Sequence, residues 1–421
     1  MILPTSDQFM KLTSLSGVYF YDYYFFTLLF YYFKNFDIEK INLIFQKNKN
    51  LIFAITLFVF YQIIIIFTNN IEFDKYLLKD FRPIILITSL ILFVDLIKKD
   101  YISLKNLLTI LFIGFSIKLL FFSAVFLTNP LEDPYYQKYL YKYRDGVTYI
   151  AALFLIIYTF QKDLIVKNIS RKKLYFLIFT SFLIVIISNL RIYLPALIIP
   201  YLFFNITSSN NILKKTLIIS LYLGAFLSYS YYMPKYQYEL YGKQKIVERI
   251  KELEDRKLSQ ARINKEKAIL DKGYVPTRYQ TLFRKIKNQL EKRFGPSFYY
   301  LDRLSLKEVT LGNGIATTFT IPFFNYRKLD PKLNKIDSLY LTHFIKYGLV
   351  GLFIFLLIFY KLFTVMIKDN KIRYAIISFY LIIGFMNAIT YQPGTIVHLT
   401  FLHLIILAIV NEEKKQKLLQ N

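Results

Sequence analysis

Cysteine is absent from this 421-residue chain, and histidine is scarce, with three residues in all. Without cysteine the protein forms neither disulfides nor thiolate metal sites. The three histidines, His343, His398 and His403, are too few and too scattered to favour a metal centre built from imidazoles. We therefore expect a protein that works without a metal or other cofactor.

Acidic residues are also few, because 28 Asp and Glu face 54 Lys and Arg, which gives a net charge of +26. Hydrophobic residues make up 55% of the chain, and the mean hydropathy is +0.38. This composition is typical of a membrane protein, and repeated apolar runs argue against a nucleic-acid binder. The expected partners of the positive charge are membrane lipids with anionic head groups and a substrate that carries phosphate.

Apolar runs of about 20 residues, the length that crosses the hydrocarbon as a helix, recur along the chain. We predict an all-α polytopic membrane protein with about eleven transmembrane helices, since backbone groups in lipid must be satisfied within each segment. The expected limits are residues 18–33, 51–68, 83–97, 106–128, 147–161, 174–189, 192–207, 213–230, 339–366, 372–390 and 394–411.

Lys and Arg residues are divided unevenly between the short loops on the two sides, with 20 on one side and 7 on the other. The positive-inside rule places the richer side in the cytoplasm, the N-terminus outside and the C-terminus inside. Residues 1–230 then hold helices 1–8, and 231–338 form a large extracytoplasmic loop. Residues 339–421 hold helices 9–11 and a cytoplasmic tail.

The extracytoplasmic loop is predicted to be helical. Residues 244–270 are dense in charge and are expected to form one solvated helix. Residues 279–290 have an apolar face and basic flanks, which favours a helix lying on the membrane. A third helix is expected over residues 298–311.

The stretch Tyr300–Leu356 combines a basic segment, a glycine-rich turn and the start of an apolar run. Arg303 precedes Gly312-Asn313-Gly314, where glycines permit positive φ and close approach of a ligand. The alternative is that Gly312 only ends a helix and Arg303 is solvated. We interpret the stretch as one wall of a site at the membrane surface.

Asp337 is the last acid before the apolar run, and such a carboxylate can take the proton of a sugar hydroxyl. The alternative, which the residues alone favour, is a helix N-cap. His343, within two turns, is the second candidate base. His398 is the third, and His403 is expected to be packed in the core.

Arg191 is the one charge within the apolar run Leu174–Phe204, at a reversal between two short spans that lies outside. A guanidinium there can grip a pyrophosphate in a bidentate manner, or it can anchor a helix end by snorkelling. Arg144 ends a segment of alternating Tyr and basic residues, which suits sugar stacking and phosphate binding, or an interfacial aromatic belt.

Together these features resemble a known family. Gly312-Asn313-Gly314 is followed by Asp337-Ser338-Leu339-Tyr340-Leu341 and then by Tyr347-Gly348-Leu349-Val350-Gly351-Leu352. With an outward arginine before a short span and one long, late outer loop, this pattern resembles the bacterial O-antigen polymerases of the Wzy type. The O-antigen ligases are similar in architecture, but there the position that resembles Asp337 is typically His, so Asp favours a polymerase.

The resemblance implies a GT-C-like fold and a metal-independent, inverting glycosyltransferase of the bacterial plasma (inner) membrane. The substrate is then an undecaprenyl-pyrophosphate-linked oligosaccharide, polymerised for lipopolysaccharide or capsule, with a chain-length regulator as an optional partner. The expected roles are pyrophosphate binding by Arg191, Arg303 and, in reserve, Arg284; proton transfer by Asp337 or His343; and substrate binding by Gly312, Gly314, Tyr340 and Arg144. An O-antigen ligase, a transporter or flippase of the same lipid and an envelope scaffold are the alternatives.

Overall fold

The protein is described by a computed structural model. It describes residues 49–69, 103–128, 147–188, 192–205, 212–237, 243–255, 260–272, 298–320, 332–333, 335–336, 338–367 and 369–386, with single positions or short pieces at 30, 46, 77, 80, 239, 295, 404–406, 408–409, 411–412 and 415.

These residues are predominantly helical. The helices are α1 (Lys49–Thr68), α2 (Leu104–Thr128), α3 (Val147–Asn168), α4 (Arg171–Ser188), α5 (Tyr193–Asn205), α6 (Ile212–Gln237), α7 (Lys243–Asp255), α8 (Gln260–Lys272), α9 (Leu306–Leu311), α10 (Leu339–Met366) and α11 (Asn370–Met386). Two short strands, β1 (Phe319–Thr320) and β2 (Lys332–Leu333), pair antiparallel, with Phe319 opposite Leu333.

Helices α1–α6, α10 and α11 coincide with eight of the predicted spans. Within the described part of the chain, three helices are long and apolar enough to cross a membrane: α1, α3 and residues Leu339–Thr364 of α10. Of the other predicted spans, 83–97 lies outside the described residues, and 18–33 and 394–411 are represented by at most short pieces. A predominantly helical protein with helices that can cross a membrane is therefore supported, and the number of spans stays a prediction.

The apolar run around Arg191 forms two helices, as predicted, because α4 ends at Ser188 and α5 begins at Tyr193. Pro195 lies in the first turn of α5, where a missing backbone N–H breaks no intrahelical bond. Arg191 itself lies outside the described residues.

Helix α3 occupies the middle of the bundle. It packs against α4, α5 and α11, while α10 packs against α1 and α11. Tyr193 of α5 contacts both α3 and α11, since its ring lies 5.5 Å from that of Tyr149 in α3 and 6.3 Å from that of Phe379 in α11. In the most apolar 18 residues of α3, 67% of the residues are buried, compared with 33% in α1. Helix α3 is therefore an inner helix, and α1 is a peripheral one.

The prediction of one helix over residues 244–270 is wrong. Two 13-residue helices, α7 and α8, pack against each other instead through Ile246, Ile250 and Ile263. Folding the segment back lets its sparse apolar residues cover one another, which a single solvated helix cannot do.

The prediction of one helix over residues 298–311 is also wrong. Residues 298–301 are helical, Asp302 and Arg303 form a turn, and Ser305 starts the separate helix α9. Ser305 accepts from the Glu308 amide, and the Glu308 carboxylate accepts from the Ser305 amide, a capping box that starts a new helix. The sequence Ser-x-x-Glu carried this signal.

Candidate functional site

Helix α10 is broken at Gly348, which has φ 64° and ψ −172°. This conformation is essentially confined to glycine. In a regular helix each carbonyl accepts from the amide four residues later, so a break deprives the carbonyls just before it of their usual donors. Within a bilayer such carbonyls need other partners.

The glycine turn and α1 supply those partners. The Asn313 amide donates to the Ile345 carbonyl at 3.0 Å, and the Gly314 amide donates to the Lys346 carbonyl at 2.7 Å. The Tyr61 hydroxyl lies 2.9 Å from the Tyr347 carbonyl and 2.8 Å from the Leu311 carbonyl, and its single proton serves one at a time. We call this contact between residues 311–316 and 345–348 the junction.

Two glycines make the junction possible. A Cβ atom on Gly312 would lie 2.3 Å from the Lys346 carbonyl oxygen, and one on Gly348 would lie 2.3 Å from the Thr310 carbonyl oxygen. Gly312 also has a positive φ of 79°, and its amide donates to the Glu308 carbonyl as the C-cap of α9. The two backbones approach this closely because neither residue carries a side chain.

A buried ion pair lies beside the junction. The Lys346 ammonium is 2.6 Å and 2.8 Å from the two carboxylate oxygens of Asp80, and both side chains are 0% exposed. The Ala316 amide donates to the same carboxylate at 2.8 Å, and Ala316 has a positive φ of 68°. The Lys346 ammonium also lies 5.8 Å from the centre of the Phe319 ring. One carboxylate thus connects α10 with the turn after α9.

The ion pair is a constraint rather than a simple source of stability. Burying both charges costs about as much as their attraction returns, but leaving either one alone in the interior is strongly unfavourable. Asp80 and Lys346 therefore require each other, and with the Ala316 amide they define one arrangement of the turn.

His343 lies within the protein, 3% exposed, although the sequence offered it as a reserve base. Its ring stacks on Phe355 at 3.9 Å and lies 5.1 Å from the ring of Tyr347. This is a packing environment, and a catalytic role for His343 stays a prediction.

Arg303 is exposed, in the turn before α9. Its guanidinium lies 3.7 Å from the centre of the Tyr299 ring and donates to the Tyr299 carbonyl at 2.7 Å. Stacking and one hydrogen bond orient the planar group and leave other N–H donors for a ligand.

The neighbours of Arg303 are anchored in one apolar cluster. It consists of Phe319, Ile336 and Ile345, with Tyr300, Leu301, Leu304, Leu341 and Phe344 packed against them. Leu301 and Leu304 hold the turn of Arg303, and Ile336 directly precedes Asp337 in the sequence. The turn and the start of α10 therefore belong to the same packed unit.

The predicted substrate-binding groups that the structure describes make internal contacts. The amides of Gly312 and Gly314 donate to Glu308 and Lys346 carbonyls, and the Tyr340 hydroxyl donates to the Leu381 carbonyl at 2.9 Å. Their binding of substrate stays a prediction.

Five of the residues that the sequence offered for the site lie outside the described part of the chain: Arg144, Arg191, Arg284, Asp337 and His398. His403 does too. For Asp337 the alternative role as N-cap of α10 is wrong, because that cap is Ser338, whose hydroxyl accepts from the Leu341 amide. Among the described residues no group of three or more His, Asp or Glu side chains is placed to hold a metal ion.

Asp80, Lys346 and Tyr61 were not among the residues predicted from the sequence, and Gly348 was named only in the motif that carries the resemblance. Lys346 did carry a signal, because a charge inside a predicted span marks a functional or paired position. Asp80 carried no such signal, since it lies 266 residues from Lys346 in the chain.

Residues 268–417 match the model of a family of unknown function (DUF6369). The matched range contains Arg303, the glycine turn and Lys346, but neither Asp80 nor Arg191. Comparisons with curated proteins and with solved structures give no match.

The close contact at the junction predicts that Gly312→Ala and Gly348→Ala each destabilise the protein. The backbone conformation alone costs an alanine about 1–3 kcal/mol, and the overlap with a backbone carbonyl adds to this. Thermal unfolding of the purified protein in detergent measures the effect.

Gly224→Ala is the matched control, because nothing lies within 4 Å of a Cβ atom at this position in α6. Alanine favours a helix over glycine by about 1 kcal/mol, so this variant should be as stable as the parent or more so. Equal unfolding temperatures for all three variants would contradict the geometry of the junction.

The ion pair predicts strong coupling between Asp80→Asn and Lys346→Met. Each single change leaves a buried group without its counter-charge and should cost about 3–5 kcal/mol. The double variant should lose much less than the sum, since asparagine still accepts from the Ala316 amide and methionine fills the space of lysine. A double-mutant cycle on thermal or denaturant unfolding measures the coupling.

The exposed pair of Lys267 and Glu254, at 2.9 Å, provides the comparison. Lys267→Met should change stability little, because solvent screens such pairs. Additive losses in the Asp80 and Lys346 cycle, or single losses as small as that of Lys267→Met, would refute the pairing.

Proposed function

We propose that the protein is a membrane glycosyltransferase that polymerises undecaprenyl-pyrophosphate-linked oligosaccharide repeat units at the outer face of a bacterial plasma membrane. The proposal includes about eleven spans, an extracytoplasmic loop over 231–338 and a cytoplasmic C-terminus. It follows from the resemblance of the sequence to O-antigen polymerases, and the apolar helices that can span a membrane are consistent with it.

One observation carries the proposal furthest. The exposed Arg303 lies between Leu301 and Leu304, which pack in the same cluster as Ile336, the residue before Asp337. A cation oriented by stacking is thereby tied to the first turn of a membrane helix. Such an arrangement suits a substrate whose lipid lies in the membrane and whose diphosphate lies at its surface.

The proposed reaction is a single displacement. A hydroxyl oxygen of the incoming unit attacks the anomeric carbon of the growing glycan, and the bond from that carbon to the pyrophosphate oxygen breaks. The leaving diphosphate keeps the electron pair, and the hydroxyl proton passes to Asp337. Negative charge grows on the leaving group, so Arg191 and Arg303 lower the barrier by stabilising it.

A transporter of the same lipid-linked glycan is the second candidate. Lys118 in α2 is 1% exposed, and it lies within an apolar helix, as charges on transport pathways often do. A transporter moves the lipid across a bilayer without lengthening the glycan, and a polymerase lengthens it.

In vitro chain extension with purified protein and lipid-linked repeat units tests the proposal. The parent protein should produce a ladder of products, whereas a ligase or a transporter supplied with these units alone produces none. Arg191→Ala and Arg303→Ala should each slow extension, by about 10²-fold if the lost group acts as a preorganised donor.

Arg303→Lys keeps the charge but loses the planar fork, so it should recover only part of the activity. Lys267→Ala, on the charged hairpin of α7 and α8, is the control and should extend normally. Full activity of folded Arg191→Ala and Arg303→Ala proteins would rule out the assigned roles.

A further inference from the structure

Three large apolar side chains are exposed on residues 298–311, the segment that carries Arg303: Phe298, Leu306 and, at its end, Leu311. Leu306, at the start of α9, is 84% exposed, and Phe298 is 59% exposed. The other side of this segment is packed, since Tyr300, Leu301 and Leu304 belong to the cluster around Phe319. The exposed side also carries the cations Arg303 and Lys307 and the acid Asp302.

The contacts of α9 fix its level relative to α1. The Leu311 carbonyl lies beside the Tyr61 hydroxyl, and the Lys307 ammonium is 3.5 Å from the side-chain oxygen of Asn69. The Asn69 side-chain amide donates to the Asn313 carbonyl at 3.3 Å. Tyr61 precedes the end of α1 at Thr68 by seven residues, a rise of about 10 Å along the helix.

One side of that last third of α1 is exposed and apolar, while Gln62, Ile65 and Ile66 are buried. Ile63, Ile64 and Phe67 are all open to the surroundings, with Phe67 74% exposed. In a helix that spans a membrane, such side chains face lipid. Lys307 and Leu311 of the segment contact this third of α1, so the exposed side chains of α9 lie at the level of its exposed apolar side.

We propose that residues 298–311 are embedded in the interface of the bilayer, with Phe298 and Leu306 against the upper acyl chains and Arg303 and Lys307 at the lipid phosphates. The long basic side chains can extend toward the phosphates while their stems lie on apolar groups. Glu308 can lie in the interface of the bilayer because its carboxylate accepts a hydrogen bond from the Ser305 amide. The junction then lies below the membrane surface, where its backbone groups are satisfied within the protein.

This inference rests on the membrane helices and not on the proposed polymerase activity. It places the segment in the leaflet at the Thr68 end of α1. A lipid diphosphate would meet Arg303 at the level of the neighbouring phosphates. The bilayer is favoured over a protein partner because the exposed apolar groups lie at the level of the exposed apolar side of α1.

The chain contains no tryptophan, so a single introduced tryptophan reports its own depth. Leu306→Trp and Phe298→Trp proteins are reconstituted into vesicles of phosphatidylcholine and phosphatidylglycerol. The tryptophan emission should be blue-shifted. It should be largely quenched by acyl chains brominated near the head group, and less by acyl chains brominated near their terminus. Iodide in the buffer should quench little.

Val247→Trp, on an exposed position of the α7 and α8 hairpin, is the control for a water-exposed site. Its emission should respond to iodide and not to brominated lipid. Because both substituted positions are exposed, the changes should not prevent folding. The chain also lacks cysteine, so labelling of Leu306→Cys by a membrane-impermeant maleimide gives a second measure, expected to be slower than that of Val247→Cys.

Strong iodide quenching of Leu306→Trp with no effect of brominated lipid would overturn the inference, because the segment would then lie in water. Insensitivity to both quenchers would overturn it too, because protein rather than lipid would cover the site. Neither result bears on the proposed polymerase activity, which the chain-extension assay tests separately.

Discussion

A backbone carbonyl that faces hydrocarbon without a donor costs several kcal/mol, and this constraint governs the arrangement around α10. The helix is interrupted at Gly348, and the carbonyls before the break accept hydrogen bonds from the Asn313 and Gly314 amides and the Tyr61 hydroxyl. These donors come from a loop and from a second membrane helix. The break can exist only where both are present, so it ties α1, the glycine turn and α10 together.

The buried charges beside the break also need partners within the protein. Lys346 lies in the segment just before the break and pairs with the Asp80 carboxylate, which also accepts a hydrogen bond from the Ala316 amide. Because neither charge tolerates the loss of the other, the turn between α9 and β1 has one favourable arrangement. Arg303 and the start of α10 are anchored to this turn by the cluster around Phe319. A polar surface is thus built on a packed apolar base at the start of α10, which is what the proposed positioning of a lipid-linked substrate requires.

Much of the helical layout could be predicted, because apolar run length follows directly from the thickness of a bilayer. The split of the run around Arg191 into α4 and α5 was predicted from length, since one span cannot hold about 31 residues. The hairpin of α7 and α8 was missed because sparse apolar residues on two helices look like one solvated helix until they face each other. The break between residues 301 and 306 was missed although Ser305 and Glu308 carried the capping-box signal.

The sequence by itself determined that the chain is helical and has apolar helices long enough to cross a membrane, while the number of spans and their orientation stay predictions. The meeting of polar residues and an apolar run also made residues 300–356 the candidate site, which stays a prediction. Only the tertiary structure decided that the glycines of this region fit each other, and that Lys346 meets Asp80 across 266 residues of chain. The reason is physical: run length and charge are local properties of a chain, whereas the pairing of a buried charge or an orphan carbonyl depends on which distant segment packs beside it.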